Sequence, residues 1–223
     1  MAPINPEYAK LWTTGVLWTL QIILDGRGTF FLWRLWKGKV PTDDLWIRGG
    51  YMVVSKYWCF LEPQEDSFQH LFLTCDTATR VWKTFLQSAN LVLNLVQVHQ
   101  VIRAWWNAKC YPKLKPLFQA APAVIAWELW KRRNTMKNGV AVSCNWVIHE
   151  VNKTLHYPAR VRCPWLSKIP LLWPEMISFF DGYKPYMVTK RVTWQLPYEG
   201  WFKCNTDGAS RGNPRPILYG FCV

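Results

Sequence analysis

The chain of 223 residues is 50% hydrophobic and 16% aromatic, so it has enough apolar surface to bury a core. Its formal net charge of +13 favours an anionic partner such as nucleic acid. The start lacks the basic segment of a signal peptide, and the apolar stretch 11–24 is too short to span a bilayer. Although the chain has seven cysteines, these features predict an intracellular protein, nuclear or cytoplasmic, without disulfides or a membrane segment.

Two helices are predicted near the beginning of the chain. Residues 30–37 are apolar with two spaced cations, which predicts a buried helix. Thr42 is a suitable N-cap for a second, shorter helix, because Asp43 and Asp44 then fall in its first turn, where the helix dipole favours acids. This helix is expected to end at the glycine pair 49–50.

A third helix is predicted to begin at Asp76 or Thr77, either of which could cap it. Four apolar residues follow at the spacing that places them on one helix face. They are Ala78, Val81, Trp82 and Phe85.

Three prolines indicate a linker-like stretch before the next helix: Pro112, Pro116 and Pro122. Pro122 is expected at the first position of that helix, where its missing N–H has no cost. Glu128 stands four residues before Arg132, which predicts an ion pair along the helix. Asn138 and Gly139 then predict its end.

The same helix carries a basic run, Lys131, Arg132 and Arg133, within a segment, 101–140, that has eight Lys or Arg and one acid. One interpretation is a solvated helix face beside a tryptophan-rich seam. The other is a surface that contacts nucleic-acid phosphates. Both interpretations stay open from the sequence alone.

The chain changes character after residue 150. Residues 151–196 are rich in proline and aromatic residues, which predicts an irregular connector with a short helix near Glu175. Residues 201–207 and 217–223 are expected to form the two strands of a hairpin around a turn-rich segment.

Cys59, His70 and Cys75 form a candidate zinc site. A structural zinc ion takes four nitrogen or sulfur ligands and usually has a closely spaced cysteine pair. This segment supplies three ligands and no such pair. The alternative is that the two cysteines are buried and the histidine is partly exposed.

A family resemblance emerges over residues 25–90, which are similar to the zinc-binding domain that follows reverse transcriptases of plant non-LTR retrotransposons. It is carried by FFLWRLWKGKVPTDDLWIRGG at 30–50, Ser55-Lys56, QHLFLTC at 69–75 and Val81-Trp82. The resemblance implies that His70 and Cys75 are zinc ligands. It also implies a cysteine pair where this chain has Tyr57 and Phe60, with Cys59 between them, so weak or no zinc binding is expected.

The segment AVIAWELWKRRN, at 123–134, also resembles these proteins, which often carry a W-x-L-W-K-x-R-N helix after the zinc-binding region. A tryptophan stripe at helical spacing is usually part of a core, so this segment supports the family resemblance and implies no site.

PYEGWFKCNTDGASRGNPRP, at 197–216, resembles the opening of a plant ribonuclease H-like domain, with Arg215 in place of a usual glycine. The resemblance implies that Asp207 is the first of several carboxylates that hold Mg²⁺ for phosphodiester cleavage. Without it, Asp207 reads as a turn residue before Gly208. The other carboxylates would lie beyond Val223, so we expect no ribonuclease H activity in this chain.

The predicted fold is mainly α: a helical zinc-binding-like domain and a helical middle region, with a C-terminal β-hairpin that begins a ribonuclease H-like α/β fold. The expected divisions are 1–90 (zinc-binding-like), 91–150 (helical and basic), 151–196 (connector) and 197–223 (truncated ribonuclease H-like). The chain then reads as a retrotransposon-derived remnant that associates with RNA, DNA or their hybrid. The alternative is a fragment of an active RNA–DNA hybrid ribonuclease.

Overall fold

The computed structural model describes residues 27–53, 66–93, 95–184, 198–201, 205–210 and 217–222. The chain divides into two compact units, Met1–Tyr183 and Lys184–Val223. None of the described helices is long and apolar enough to cross a lipid bilayer.

The described part of the first unit is helical, which confirms the prediction of a mainly α protein. A π-helical turn, His70–Thr74, precedes α3. The α-helices are α1 (Arg27–Trp36), α2 (Asp43–Arg48), α3 (Asp76–Ser88), α4 (Val98–Asn107), α5 (Lys115–Lys137), α6 (Cys144–Arg162) and α7 (Trp173–Asp181).

The first two helices lie close to their predicted positions. The α1 helix buries one face, with Phe31, Leu32 and Leu35, but its residues Phe30 and Trp33 are exposed, so it is amphipathic rather than fully buried. In α2, Thr42 is the N-cap and Gly49 the C-cap, as predicted. Gly50 follows with φ of +84°, a conformation that residues with a Cβ rarely adopt.

The cap of α3 differs from its prediction. All four apolar residues predicted for one face are buried, but the N-cap is Cys75 rather than Asp76 or Thr77. The Cys75 Sγ accepts a hydrogen bond from the Ala78 N–H at 3.3 Å. Its backbone is extended, with φ of −66° and ψ of 151°, which is the usual conformation of an N-cap.

The central helix is α5, which begins earlier than predicted. Pro116 lies in its first turn and Pro122 lies inside it, so the expected linker and the expected start at Pro122 are both wrong. Pro116 has no cost at the helix start. Pro122 removes one backbone donor, but it is buried among apolar neighbours whose packing offsets that loss. The predicted end at Asn138 is confirmed.

The α5 helix is buried on nearly all sides between Leu117 and Leu129, so it forms the middle of the core. It packs against α1, the π-helical turn, α3, α4 and α6. Further aromatic packing joins Trp173 of α7 to Phe118 and to Trp105, with ring centroids 5.3 and 6.0 Å apart.

Residues 151–196 are not an irregular connector throughout. The α6 helix extends to Arg162, and its residues Val151, Leu155 and Ala159 are buried. Pro158 lies inside α6 without ending it, because helix packing outweighs the loss of one hydrogen bond. The short helix expected near Glu175 is α7.

The second unit contains two antiparallel strands, β1 (Asn205–Ser210) and β2 (Ile217–Cys222). In their register Asn205 is opposite Cys222 and Asp207 is opposite Gly220. The relation of this hairpin to a ribonuclease H-like fold stays a prediction.

Candidate metal centre and buried ion-pair network

His70 and Cys75 lie at the two ends of the π-helical turn. The Cys75 N–H donates to the His70 carbonyl oxygen at 3.0 Å, and the His70 Nδ1 lies 3.4 Å from the Thr74 hydroxyl. The third predicted ligand, Cys59, lies outside the described residues. Within the described ranges, no three His, Cys, Asp or Glu side chains are grouped to hold a metal ion.

The chemistry of this pair is compatible with half of a zinc site. Burial lowers the pKa of His70, while the charges of Asp66 and Asp76 oppose that shift. The lowered pKa favours the neutral imidazole, which is the form that binds metals. Cys75 is buried, and its Sγ already accepts the Ala78 N–H. The described residues therefore fit two of the four ligands that a structural zinc ion requires.

A buried ion-pair network lies beside this turn. Its centre is Arg133 of α5, which is only 5% exposed. The Arg133 Nη2 donates to Asp43 Oδ1 at 3.1 Å and also to Asp66 Oδ2. The Arg133 Nε donates to the same Asp66 oxygen at 3.0 Å. One guanidinium group thus holds two carboxylates that arrive from different parts of the chain.

Further contacts complete the network. Lys137 Nζ lies 3.8 Å from Asp43 Oδ1 and adds a second, half-exposed cation. The Arg133 guanidinium carbon lies 5.1 Å from the centroid of the Trp130 ring, and Nη1 donates to Asn134 Oδ1 at 3.2 Å. The planar arginine is therefore fixed by contacts on several edges and on one face.

Asp66 is the most buried carboxylate in this network, with no exposed surface. Burial raises the pKa of Asp66 and the charge of Asp43 adds to this, while the hydrogen bond and charge of Arg133 oppose it. The net direction is upward, so dehydration of the carboxylate outweighs its pairing with Arg133.

The network connects the N-terminal segment to α5. Asp43 opens α2, Asp66 precedes the π-helical turn, and Arg133 is the arginine of the W-x-L-W-K-x-R-N pattern. This role is not predicted by the sequence, from which Asp43 is expected only to interact with the helix dipole and Arg133 only to be a surface cation. Arg132 and Arg133 are consecutive on a tryptophan-rich helix. Because the apolar face of such a helix is buried, this pattern could have indicated that at least one of the two arginines is buried as well.

Of the predicted basic surface at 131–133, only Lys131 is exposed, whereas Arg132 and Arg133 are buried. Arg132 is 9% exposed, and its Nε donates to the Val142 carbonyl oxygen at 3.0 Å. Lys131 is exposed, but its Nζ lies 2.7 Å from Glu128 Oε2. The predicted pair between Glu128 and Arg132 is therefore wrong, because Glu128 pairs with Lys131, and only Lys131 of the three is open to a phosphate.

Besides Asp43 and Asp66, Glu128 of α5 is also a buried carboxylate. Burial raises its pKa, while Lys131 and the Thr154 hydroxyl, which lies 3.4 Å from Oε1, oppose the shift. Glu150 lies close enough to add to the rise. This carboxylate and Asp66 are both held in the core of the first unit by cations of α5.

Asp207 lies on β1 of the second unit, with Gly220 as its register partner on β2. Its expected role as a metal-binding carboxylate remains a prediction.

Comparison with known protein families finds a match to the first part of the chain. Residues 4–82 match the family described as zinc-binding in reverse transcriptase. No curated protein and no solved structure gives a significant match. The matched range ends inside α3 and contains α1, α2, His70 and Cys75. The first part of this chain is therefore similar to the zinc-binding region of reverse transcriptases, which supports a retrotransposon-related origin.

Proposed function

We propose that this chain is a retrotransposon-derived protein that associates with nucleic acid through its cationic surface and has no catalytic activity of its own. The family match over residues 4–82 carries the proposal, since reverse transcriptases act on nucleic acids. The formal net charge of +13 supports it, because excess positive charge favours polyanions.

The cations that serve this role are not those at 132–133, which stabilise the core. Exposed cations occur instead on other elements of the first unit. They include Lys39, Arg48, Lys83, Lys109, Arg160 and Lys168. Binding through such groups is expected to be sensitive to salt and weakly selective for sequence, because each neutralised phosphate releases counterions.

The test is fluorescence anisotropy of the full chain with labelled single-stranded DNA, single-stranded RNA and an RNA–DNA hybrid. Affinity should fall steeply between about 50 and 200 mM salt, as expected when several phosphates are neutralised. An unrelated protein of similar size and near-zero net charge serves as the control. Absence of binding at the lower salt concentration, or an affinity that salt does not change, would contradict the proposal.

Within this proposal the zinc site is degenerate. The described ligands, His70 and Cys75, account for two of four positions, and the resemblance expects cysteines where Tyr57 and Phe60 stand. Metal analysis of the purified chain should find much less than one zinc ion per chain. One tightly bound zinc per chain, lost on substitution of His70, would show that the site is intact.

A second candidate function, hydrolysis of RNA–DNA hybrids, is favoured by the run NTDGASRGNP that contains Asp207. A two-metal site needs several carboxylates, and this motif supplies one. We therefore expect no cleavage of an RNA–DNA hybrid in the presence of Mg²⁺. Cleavage that disappears in Asp207→Asn would establish the ribonuclease and overturn the non-catalytic proposal.

A further inference from the structure

A cavity whose lining includes Arg160 and Tyr157 lies at the C-terminal end of α6. Its volume is about 430 Å³. The last turns of α6 and the turn after it line this space with Tyr157, Arg160, Val161, Pro164, Leu166 and Ser167. We refer to it as the 157–168 cavity.

Two exposed aromatic residues lie in the segment that lines the cavity. Tyr157 is 57% exposed and lines it, and Trp165, on the turn that follows α6, is 62% exposed. Lys113, which precedes α5, makes cation–π contacts with two rings of this region. Its Nζ lies 5.4 Å from the centroid of the Trp165 ring and 4.4 Å from that of the Tyr183 ring. Trp165 is thus anchored by a cation while most of its surface faces solvent.

The charged residues of the segment that lines the cavity are all positive. Residues 157–168 include Arg160, Arg162 and Lys168 and no Asp or Glu. Within the described part of the chain, Arg160 and Lys168 make no ion pair. The negative end of the α6 dipole accounts for the two arginines of its last turn. It does not account for Lys168, which lies beyond the helix, or for the adjacent exposed tryptophan.

We propose that the 157–168 cavity binds single-stranded nucleic acid, with a base stacked on Trp165 and backbone phosphates paired with Arg160 and Lys168. This inference rests on the proposed function and assigns it a site and a substrate class. Single-strand sites combine a cationic groove with aromatic side chains on which bases stack. In a duplex the base faces are already stacked on their neighbours, so an aromatic platform of this kind favours single strands.

The test compares variants of the full chain by fluorescence anisotropy, with a labelled thymidine 20-mer, a uridine 20-mer and a 20-base-pair duplex. Trp165→Leu removes the platform, and a stacked base is worth a factor of about five or more in affinity. The dissociation constant for the single strands should therefore rise by about fivefold or more, while that for the duplex should change by less than about twofold. Arg160→Gln should weaken binding to all three.

Matched controls separate this site from general charge. Trp146→Leu removes a tryptophan of similar exposure, 57%, from the first turn of the same helix, and should leave every affinity unchanged. Lys83→Gln removes an exposed cation from α3 and should weaken binding less than Arg160→Gln. Thermal unfolding of each variant checks that the fold is retained.

The outcomes are distinct. If the unaltered chain binds none of the three probes, the proposed function itself is wrong. If it binds and Trp165→Leu behaves like Trp146→Leu, nucleic-acid association stands and the 157–168 cavity is not its site. If Trp165→Leu weakens single-strand and duplex binding equally, stacking is excluded and the assignment to single strands is overturned.

Discussion

Arg133 bonds to Asp66, which lies 67 positions away in the sequence, and to Asp43, which lies 90 positions away. The residues of this network therefore come from both sides of the boundary at which the family match ends, after residue 82. The acids belong to the matched segment and the arginine to α5, which lies outside it. Loss of either side of this contact would leave a buried charge unpaired, which is costly.

Removal of the arginine is expected to be severe. Arg133→Met leaves two buried carboxylates without their main partner and should lower the free energy of unfolding by about 3–5 kcal/mol. Urea denaturation followed by circular dichroism measures the change. Arg48→Met is the control, since the Arg48–Asp44 pair is largely exposed and its loss should cost about 1 kcal/mol or less. If Arg133→Met and Arg48→Met lower the free energy of unfolding equally, the buried ion pairs of Arg133 contribute no more to stability than an exposed pair does.

The folding unit is expected to be longer than the matched segment. A chain of residues 1–90 lacks α5, against which α1 and the π-helical turn pack, and should show no cooperative unfolding transition. A chain of residues 1–184 keeps the first compact unit and should unfold cooperatively. A sharp urea transition in the shorter chain would show that the N-terminal segment folds independently.

The raised pKa of Glu128 has a defined consequence for stability. A carboxyl group whose pKa is higher in the folded state binds its proton more tightly there, so its contribution to stability is lost as the pH rises through that folded pKa. Glu128→Gln removes this dependence. The stability of the variant relative to the unaltered chain should therefore increase as the pH is raised from below 4.5, the ordinary pKa of the group, towards 7.

Urea denaturation at several pH values measures this difference. Glu175→Gln provides the control, because Glu175 is exposed in the first turn of α7. A Glu128→Gln variant whose relative stability falls with rising pH would contradict the direction of the pKa shift.

The helix cap provided by Cys75 can be tested without metal. In a buffer with chelator, Cys75→Ala should lower the free energy of unfolding by about 0.5–2 kcal/mol through loss of the cap to Ala78. Cys75→Ser should be less damaging, because its hydroxyl can accept the same N–H. Thermal unfolding of both variants in parallel decides the matter, and equal losses would mean that the sulfur serves as packing rather than as a cap.

Local features of the fold were predictable from the sequence, whereas distant contacts were not. The cap at Thr42, the end of α5 at Asn138 and the buried face of α3 all depend on residues within a few positions of one another. Pro122 was misassigned because its isolated preference for a helix start is weaker than the packing of a long buried helix. Only the tertiary structure reveals that α5 is buried on nearly all sides.

For the candidate sites too, local contacts were predictable from the sequence and distant contacts were not. His70 and Cys75 are neighbours on one turn, so their spacing already placed them together. The positions of Arg132 and Arg133 were not predictable from charge, because a helix that is buried on most sides also buries some of its cations. The 157–168 cavity was missed because proline and aromatic content suggested a connector, whereas α6 carries its first half.

Cys75 is both a candidate metal ligand and the N-cap of α3. A cysteine that both resembles a metal ligand and caps α3 remains useful to the fold when the metal is gone. Substitution at Cys75 removes a candidate metal ligand and also removes the side-chain cap of α3. Cys75 can therefore be kept for the fold alone, so its presence in this chain is not by itself evidence of zinc binding.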